Sequence, residues 1–198
     1  MRVLGLTGGI GMGKSTVAAM LQTCGMPVFD ADRAVHALQA PGGAAVPAIA
    51  ALVPQAVQGG VIDRAVLRQA VIGNAVLMRG LERILHPMVR AARGRFLAAW
   101  RRRGVAWVVL DIPLLIEIGA DRMCDLVVVV SAPRAVQRQR VARRRGMSAA
   151  QADRIIARQM PDGRKRARAD VVIHTGASLA RTGREVRALV RRMEREFR

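Results

Sequence analysis

Near its start the chain runs RVLGLT and then Gly8-Gly9-Ile10-Gly11-Met12-Gly13-Lys14-Ser15. No other feature restricts the possible folds as strongly. The segment matches the pattern G-x-x-x-x-G-K-[ST] in full. It follows an apolar run that reads as a strand (Arg2–Thr7), and Ser15–Cys24 reads as a helix. A strand, a tight glycine turn and a helix in that order make a loop that wraps a chain of phosphates. Glycines allow the required dihedrals and keep side chains away from the approaching anion. The helix that follows presents its positive dipole end and free amides. In this arrangement Gly8, Gly9, Gly11, Met12, Gly13 and Thr16 are expected to surround the nucleotide. Lys14 should reach the β- and γ-phosphates, and the Ser15 hydroxyl should ligate Mg²⁺. The motif does not separate ATP from GTP, but the base-reading sequence N-K-x-D of GTP-binding proteins is absent.

The rest of the chain agrees with an α/β fold, a parallel sheet covered by helices on both faces. Pro27–Phe29 reads as a second strand ending at Asp30. Val105–Leu110 and Leu126–Val130 are unbroken apolar runs, as expected for buried parallel strands, and Val171–Ile173 is a short last strand. With the first strand this makes a parallel sheet of five. Residues 32–103 show no convincing strand. They read as helices broken at Pro41-Gly42-Gly43, Gly59-Gly60, Gly73-Asn74 and Pro87, with Asp63 as an N-cap. Ser148-Ala-Ala-Gln151 is a capping box inside the arginine-rich helical stretch 133–168, and Leu179–Phe197 is a final basic helix. The expected organisation is one domain with two excursions. Its core comprises about 1–31, 104–132 and 169–198, with a helical substrate-binding region over about 32–103 and a helical lid over about 133–168.

Two carboxylate positions carry candidate chemistry. Asp30-Ala31-Asp32 lies where the second strand ends, and ligands of open α/β sheets bind beyond the carboxyl ends of the strands. A kinase acting on an alcohol needs a carboxylate there to orient the hydroxyl and take its proton. Asp also caps helices well. One of the pair is expected to cap and the other to face the site, and spacing alone does not choose. Asp111 closes the third apolar strand, where a carboxylate can bind Mg²⁺ directly or through water. Glu117 is expected in a structural ion pair.

Composition matters at three points. The formal net charge is +19, which suits polyanionic partners, yet of the 33 basic residues only Lys14 and Lys165 are lysine. In a chain that nearly always chooses arginine, the loop lysine stands out. Aromatic residues make up 3%, so the core must come from Ala, Val, Leu, Ile and Met, and there is no aromatic-studded basic surface for stacking nucleic-acid bases. The two cysteines, Cys24 and Cys124, read as reduced, buried thiols. With a strand pattern beginning at Arg2 and no apolar run of membrane-spanning length, they suggest a cytoplasmic protein without a signal peptide.

The series TGGIGMGKST, VFDAD, LHP, DIPLLIE and Ala169-Asp170-Val171-Val172-Ile173, in this order, resembles the dephospho-CoA kinase family from residue 3 to about 176. The resemblance implies a nucleotide-monophosphate-kinase-like core. It also implies transfer of the ATP γ-phosphoryl group to the ribose 3′-hydroxyl of dephospho-CoA, with Mg²⁺ and no nucleic-acid or membrane partner. It makes Asp32 the general base and Gly11–Thr16 the ATP loop. His86 and Leu115 fall near the acceptor, and Arg140 and Arg144 fall in the lid, where they would clamp phosphate oxygens. A monomer is expected. The chain departs from the pattern at His174, where the family often has Asn, and at Ile116, where an aromatic is common. Another small-molecule kinase, acting on a nucleoside, shikimate or gluconate, is the main alternative. A nucleic-acid-binding ATPase is the alternative that charge alone suggests.

Overall fold

The structure, a computed structural model, describes residues 1–196, apart from the side chains of residues 144 and 145. The end of the expected last helix, at Phe197, lies outside the described residues. The chain divides into two compact units, Met1–Phe29 with Trp100–Arg198, and Asp30–Ala99.

The first unit is built on a parallel sheet. Its strands are β1 (Arg2–Thr7), β2 (Val28–Asp30), β5 (Trp107–Asp111), β6 (Leu126–Ser131) and β7 (Val171–His174), in the order β2-β5-β1-β6-β7. β1 pairs in parallel with β5 on one side and β6 on the other, and β6 pairs in parallel with β7. The two strands flanking β1 are the all-apolar runs, and Val108, Val109, Val128 and Val129 are fully buried. Strands covered on both faces need exactly this lack of alternation.

Helix α1 (Lys14–Thr23) and helix α9 (Leu179–Arg195) cover the sheet and contact each other. Leu4, Leu6, Val17, Leu21, Val186 and Met193 share one core with Trp107, an aliphatic packing as composition required. Burial of each large side chain contributes about 1.5–3 kcal/mol. α1 ends as its sequence suggests: Gly25 has φ +83°, and Met26 N–H donates to Leu21 O at 3.1 Å. The arginine-rich stretch forms α6 (Arg134–Arg145), α7 (Ala149–Ala157) and α8 (Asp162–Arg166). α7 starts in a capping box, with Gln151 N–H on Ser148 Oγ and Ser148 N–H on Gln151 Oε1.

The second unit is mainly helical: α2 (Ala31–Leu38), α3 (Val46–Leu52), α4 (Arg64–Val71) and α5, whose span Ala75–Arg102 runs past the unit's boundary. Ala45, Val46, Ile49, Val53, Leu67, Val71 and Leu85 form its core. Asp63 caps α4 by accepting from Ala65 and Val66 N–H at 2.8 and 3.1 Å. Arg64 ties α4 to α2, donating to His36 Nδ1 at 2.7 Å and His36 O at 3.2 Å.

Three expectations need correction. A small hairpin, β3 (Val57–Gln58) and β4 (Val61–Ile62), interrupts the helices, turning on Gly59 and Gly60 at φ +55° and +76°. Two successive left-handed residues make the tight turn that suits a hairpin. Pro87 does not break a helix, because α5 continues straight through it. A proline there costs about 3 kcal/mol, but Leu81, Ile84, Leu85 and Met88 around it all pack into the unit's core and offset that loss. Both cysteines are half-buried rather than buried.

Candidate active site

The glycine loop leaves β1 at Thr7 and enters α1 at Lys14. Its form depends on missing side chains. Gly11 and Gly13 have φ +75° and +88°, in the left-handed region. A Cβ on Gly8 would lie 2.8 Å from Val130 O, and one on Gly11 would lie 2.7 Å from Val141 Cγ2. The loop closes on itself through Met12 N–H to Gly9 O at 3.1 Å. Gly13 brings no side-chain cap to α1, and no acidic residue occupies its first turn. The amides of a helix's first turn have no acceptor inside the helix. Thr16 N–H turns back to Gly13 O at 3.1 Å, which leaves the amides of Lys14 and Ser15 for an anion.

Lys14 Nζ donates to Asp111 Oδ1 at the end of β5. The pair is largely buried, with side chains 14% and 4% exposed. β1 and β5 are neighbours in register, Leu6 beside Asp111, so the sheet itself brings loop and carboxylate together. Ser15 is exposed in the first turn of α1. Among the described residues no cluster of three or more His, Cys, Asp or Glu could hold a metal. One buried carboxylate and one hydroxyl are the sparse oxygen donors that suit Mg²⁺, which keeps several waters and binds phosphate oxygens rather than a full protein cage.

Side chains distant in sequence brace this arrangement. Thr175, at the end of β7, is 5% exposed. Its hydroxyl donates to Met12 O at 2.5 Å and accepts from Arg140 Nη1 at 3.0 Å. Arg140 also donates to Thr175 O at 2.5 Å and to Gly11 O at 3.4 Å. Its guanidinium thus ties the loop to the end of β7. The side chain of Arg144 lies outside the described residues. Arg134 and Arg138 pair with Asp153 at 2.7 and 3.7 Å, holding α6 to α7.

The turn after Asp111 is fixed from below. Pro113 O accepts from Thr7 Oγ1 at 2.9 Å and from Lys165 Nζ at 3.2 Å. Lys165 is 1% exposed and pairs with Glu117 Oε1 at 2.7 Å, so Glu117 is the structural partner the sequence suggested. Leu115, expected near the acceptor, is fully buried, and a Cβ on Gly5 would lie 2.7 Å from its Cδ2. Its neighbour Leu114 is exposed, at 46%. His174 is exposed at the end of β7, and its N–H donates to Glu185 Oε2 at 2.9 Å.

In the second unit the Asp30/Asp32 pair divides its work. Asp30 Oδ1 accepts from Arg33 N–H at 2.9 Å and caps α2. Asp32 is exposed in the first turn. His86 lies mid-helix on α5, exposed, on a face with Arg79, Arg83 and Arg90 that borders a cleft of about 340 Å³. Thr175, Lys165 and the loop contacts of Gln137 and Gln159 were not found from sequence as site residues. Only the choice of lysine at 165 gave any signal.

A phosphate loop between β1 and α1, a buried carboxylate on the adjoining strand and a five-stranded parallel sheet define a P-loop kinase. Shikimate kinase from Acinetobacter baumannii shares this fold, with a TM-score of 0.52 at 19% identity over 96% of this chain and 93% of that one. The family model for dephospho-CoA kinase matches residues 2–181, and the chain belongs to that family. The curated dephospho-CoA kinase of Gluconobacter oxydans is 48% identical over 98% of each chain. The crystal structure of TT1252 from Thermus thermophilus is 34% identical, with a TM-score of 0.82, over 96% of this chain and 97% of that one.

Proposed function

We propose that the chain phosphorylates the ribose 3′-hydroxyl of dephospho-CoA with ATP, the activity its family membership assigns, through the residues identified above. The observation that carries the mechanism is the Lys14–Asp111 pair at the mouth of an uncapped helix. When ATP binds, Lys14 leaves Asp111 and spans the β- and γ-phosphates. The amides of Gly11, Gly13, Lys14 and Ser15 hold the phosphate oxygens. Met12 shapes the turn with Gly8 and Gly9 through its N–H to Gly9 O, and the Thr16 hydroxyl donates to the α-phosphate. Asp111 and Ser15 would hold Mg²⁺, which would supply charge neutralisation on the phosphates. Asp32 accepts the proton of the attacking hydroxyl, a role supported by its freedom from the capping duty that Asp30 performs. Phosphoryl transfer needs little else than positioning and fixed charge.

The helical unit and His86 bind the acceptor, and its basic face suits an anionic ligand. Leu115 acts by packing the turn rather than by touching substrate. Residues 133–168 act as a lid, with Arg140 and Arg144 facing the phosphates as it closes and water leaves. The protein works as a cytoplasmic monomer. Among the described residues no helix is long and apolar enough to cross a membrane.

An ADP-release assay over a panel of alcohols tests this reading. Dephospho-CoA should be turned over at least about a hundredfold more efficiently than shikimate, gluconate or a nucleoside, the gap expected when a site is built around an acceptor's polar groups. Comparable or better turnover of one of the others would overturn the assignment.

A further inference from the structure

One residue of the loop is held on three sides by the α6–α7 segment. Ile10 O accepts from Gln137 Nε2 at 2.9 Å, and Ile10 N–H donates to Gln159 Oε1 at 2.7 Å. The Ile10 side chain packs against Val141, Ala152 and Ile156, the small core between α6 and α7. Gln137 is 3% exposed, so its amide is committed to this contact. Gly9 makes the approach possible, since a Cβ there would lie 3.3 Å from both Gln137 Nε2 and Gln159 Oε1. A cleft of about 280 Å³ lined by Gly9, Gln137, Gln159, Asp162 and Lys165 adjoins the contact and gives Gln159 room to move.

We propose that Gln137 and Gln159 are positioning residues that grip both backbone groups of Ile10, presetting the phosphate loop and coupling it to the α6–α7 segment. The inference rests on the reading that ATP phosphates lie on residues 11–16. Ile10 N–H already has an acceptor, so the phosphate cradle begins at Gly11. Gln159 reaches Ile10 from beyond the end of α7, so displacement of that segment releases one end of the loop. Ordering of the loop then becomes part of the cost of binding ATP. Loss of the grip therefore falls on ATP binding and not on the acceptor.

The test uses the full chain in two measurements. Site-resolved amide exchange of Ile10 by NMR, without nucleotide, reads the grip directly. Steady-state kinetics read its consequence. Gln159→Leu, which cannot accept the bond, should speed Ile10 exchange and raise KM for ATP about tenfold, the effect of losing one net hydrogen bond. kcat should change less than about threefold and KM for dephospho-CoA should not change, as expected for lost uniform binding. Gln159→Glu retains an acceptor and should keep Ile10 protected. It also serves if the leucine variant does not fold. Unchanged exchange in Gln159→Leu, or loss of protection in Gln159→Glu, overturns the grip. Faster exchange with unchanged KM for ATP overturns the coupling. A raised KM with unchanged exchange also overturns it, because Gln159 would then touch the nucleotide itself. If nucleotide binds elsewhere, Lys14→Ala leaves ATP kinetics intact, and that failure is distinct from any of these.

Discussion

Lys14→Ala should lower kcat/KM for ATP by about a hundred- to a thousandfold, the loss typical when one preorganised donor to the transferring group is removed. The ammonium sits between the loop and Asp111 in a site that water barely reaches. Interactions with developing charge count for more there than in water. Lys14→Arg should rescue little, because a planar guanidinium cannot take the place of a compact ammonium enclosed by the loop. The same substitution removes the cation beside Asp111, so thermal unfolding should accompany the kinetics. A folded Lys14→Ala protein with near-normal turnover would remove the lysine from the mechanism.

Asp32→Asn should lower kcat by about a hundred- to ten-thousandfold, the range for a lost general base, while ATP affinity stays within about twofold. Asp32 is exposed and does not cap α2, so stability should change by less than about 0.5 kcal/mol. Asp30→Asn is the matched control. Asn caps as well as Asp, and both stability and turnover should be nearly unchanged. Asp30→Ala should cost about 1 kcal/mol in unfolding free energy. If the two positions exchanged these behaviours, the base would be Asp30.

The parts of this site that follow from short-range chemistry could be read from the chain. The phosphate loop is one, since a left-handed turn and an open helix end dictate glycines at fixed offsets, and Gly11 and Gly13 have the positive φ that requires them. The caps at Asp63 and Ser148 are others, each set by contacts within three residues. The choice between Asp30 and Asp32 could not be read locally, because both can accept from a helix's first amides. The hairpin at residues 57–62 was missed because its strands are two residues long, too short for alternation to show, although Gly59-Gly60 marks its turn. At Pro87 local propensity says stop, while the buried Leu85 and the partly buried Leu81, Ile84 and Met88 packed into the helical core say continue.

The contacts that hold the site rigid join distant segments. Thr175 meets Met12, Lys165 meets Glu117 and Pro113, and Gln137 and Gln159 meet Ile10. None has a local pattern, since Gln, Thr and Lys are ordinary surface residues until the fold buries them. Leu115 shows the converse: its motif drew attention toward ligand, and the packing beside Gly5 buries it.

The most direct check is a crystal structure of the chain with dephospho-CoA and a non-hydrolysable ATP analogue. The phosphates should lie on loop residues 11–16 with Lys14 turned from Asp111 onto them, and an Asp32 oxygen should lie within hydrogen-bonding distance of the 3′-hydroxyl. Phosphates bound away from that loop, or a closed complex with Asp32 facing solvent, would contradict the mechanism.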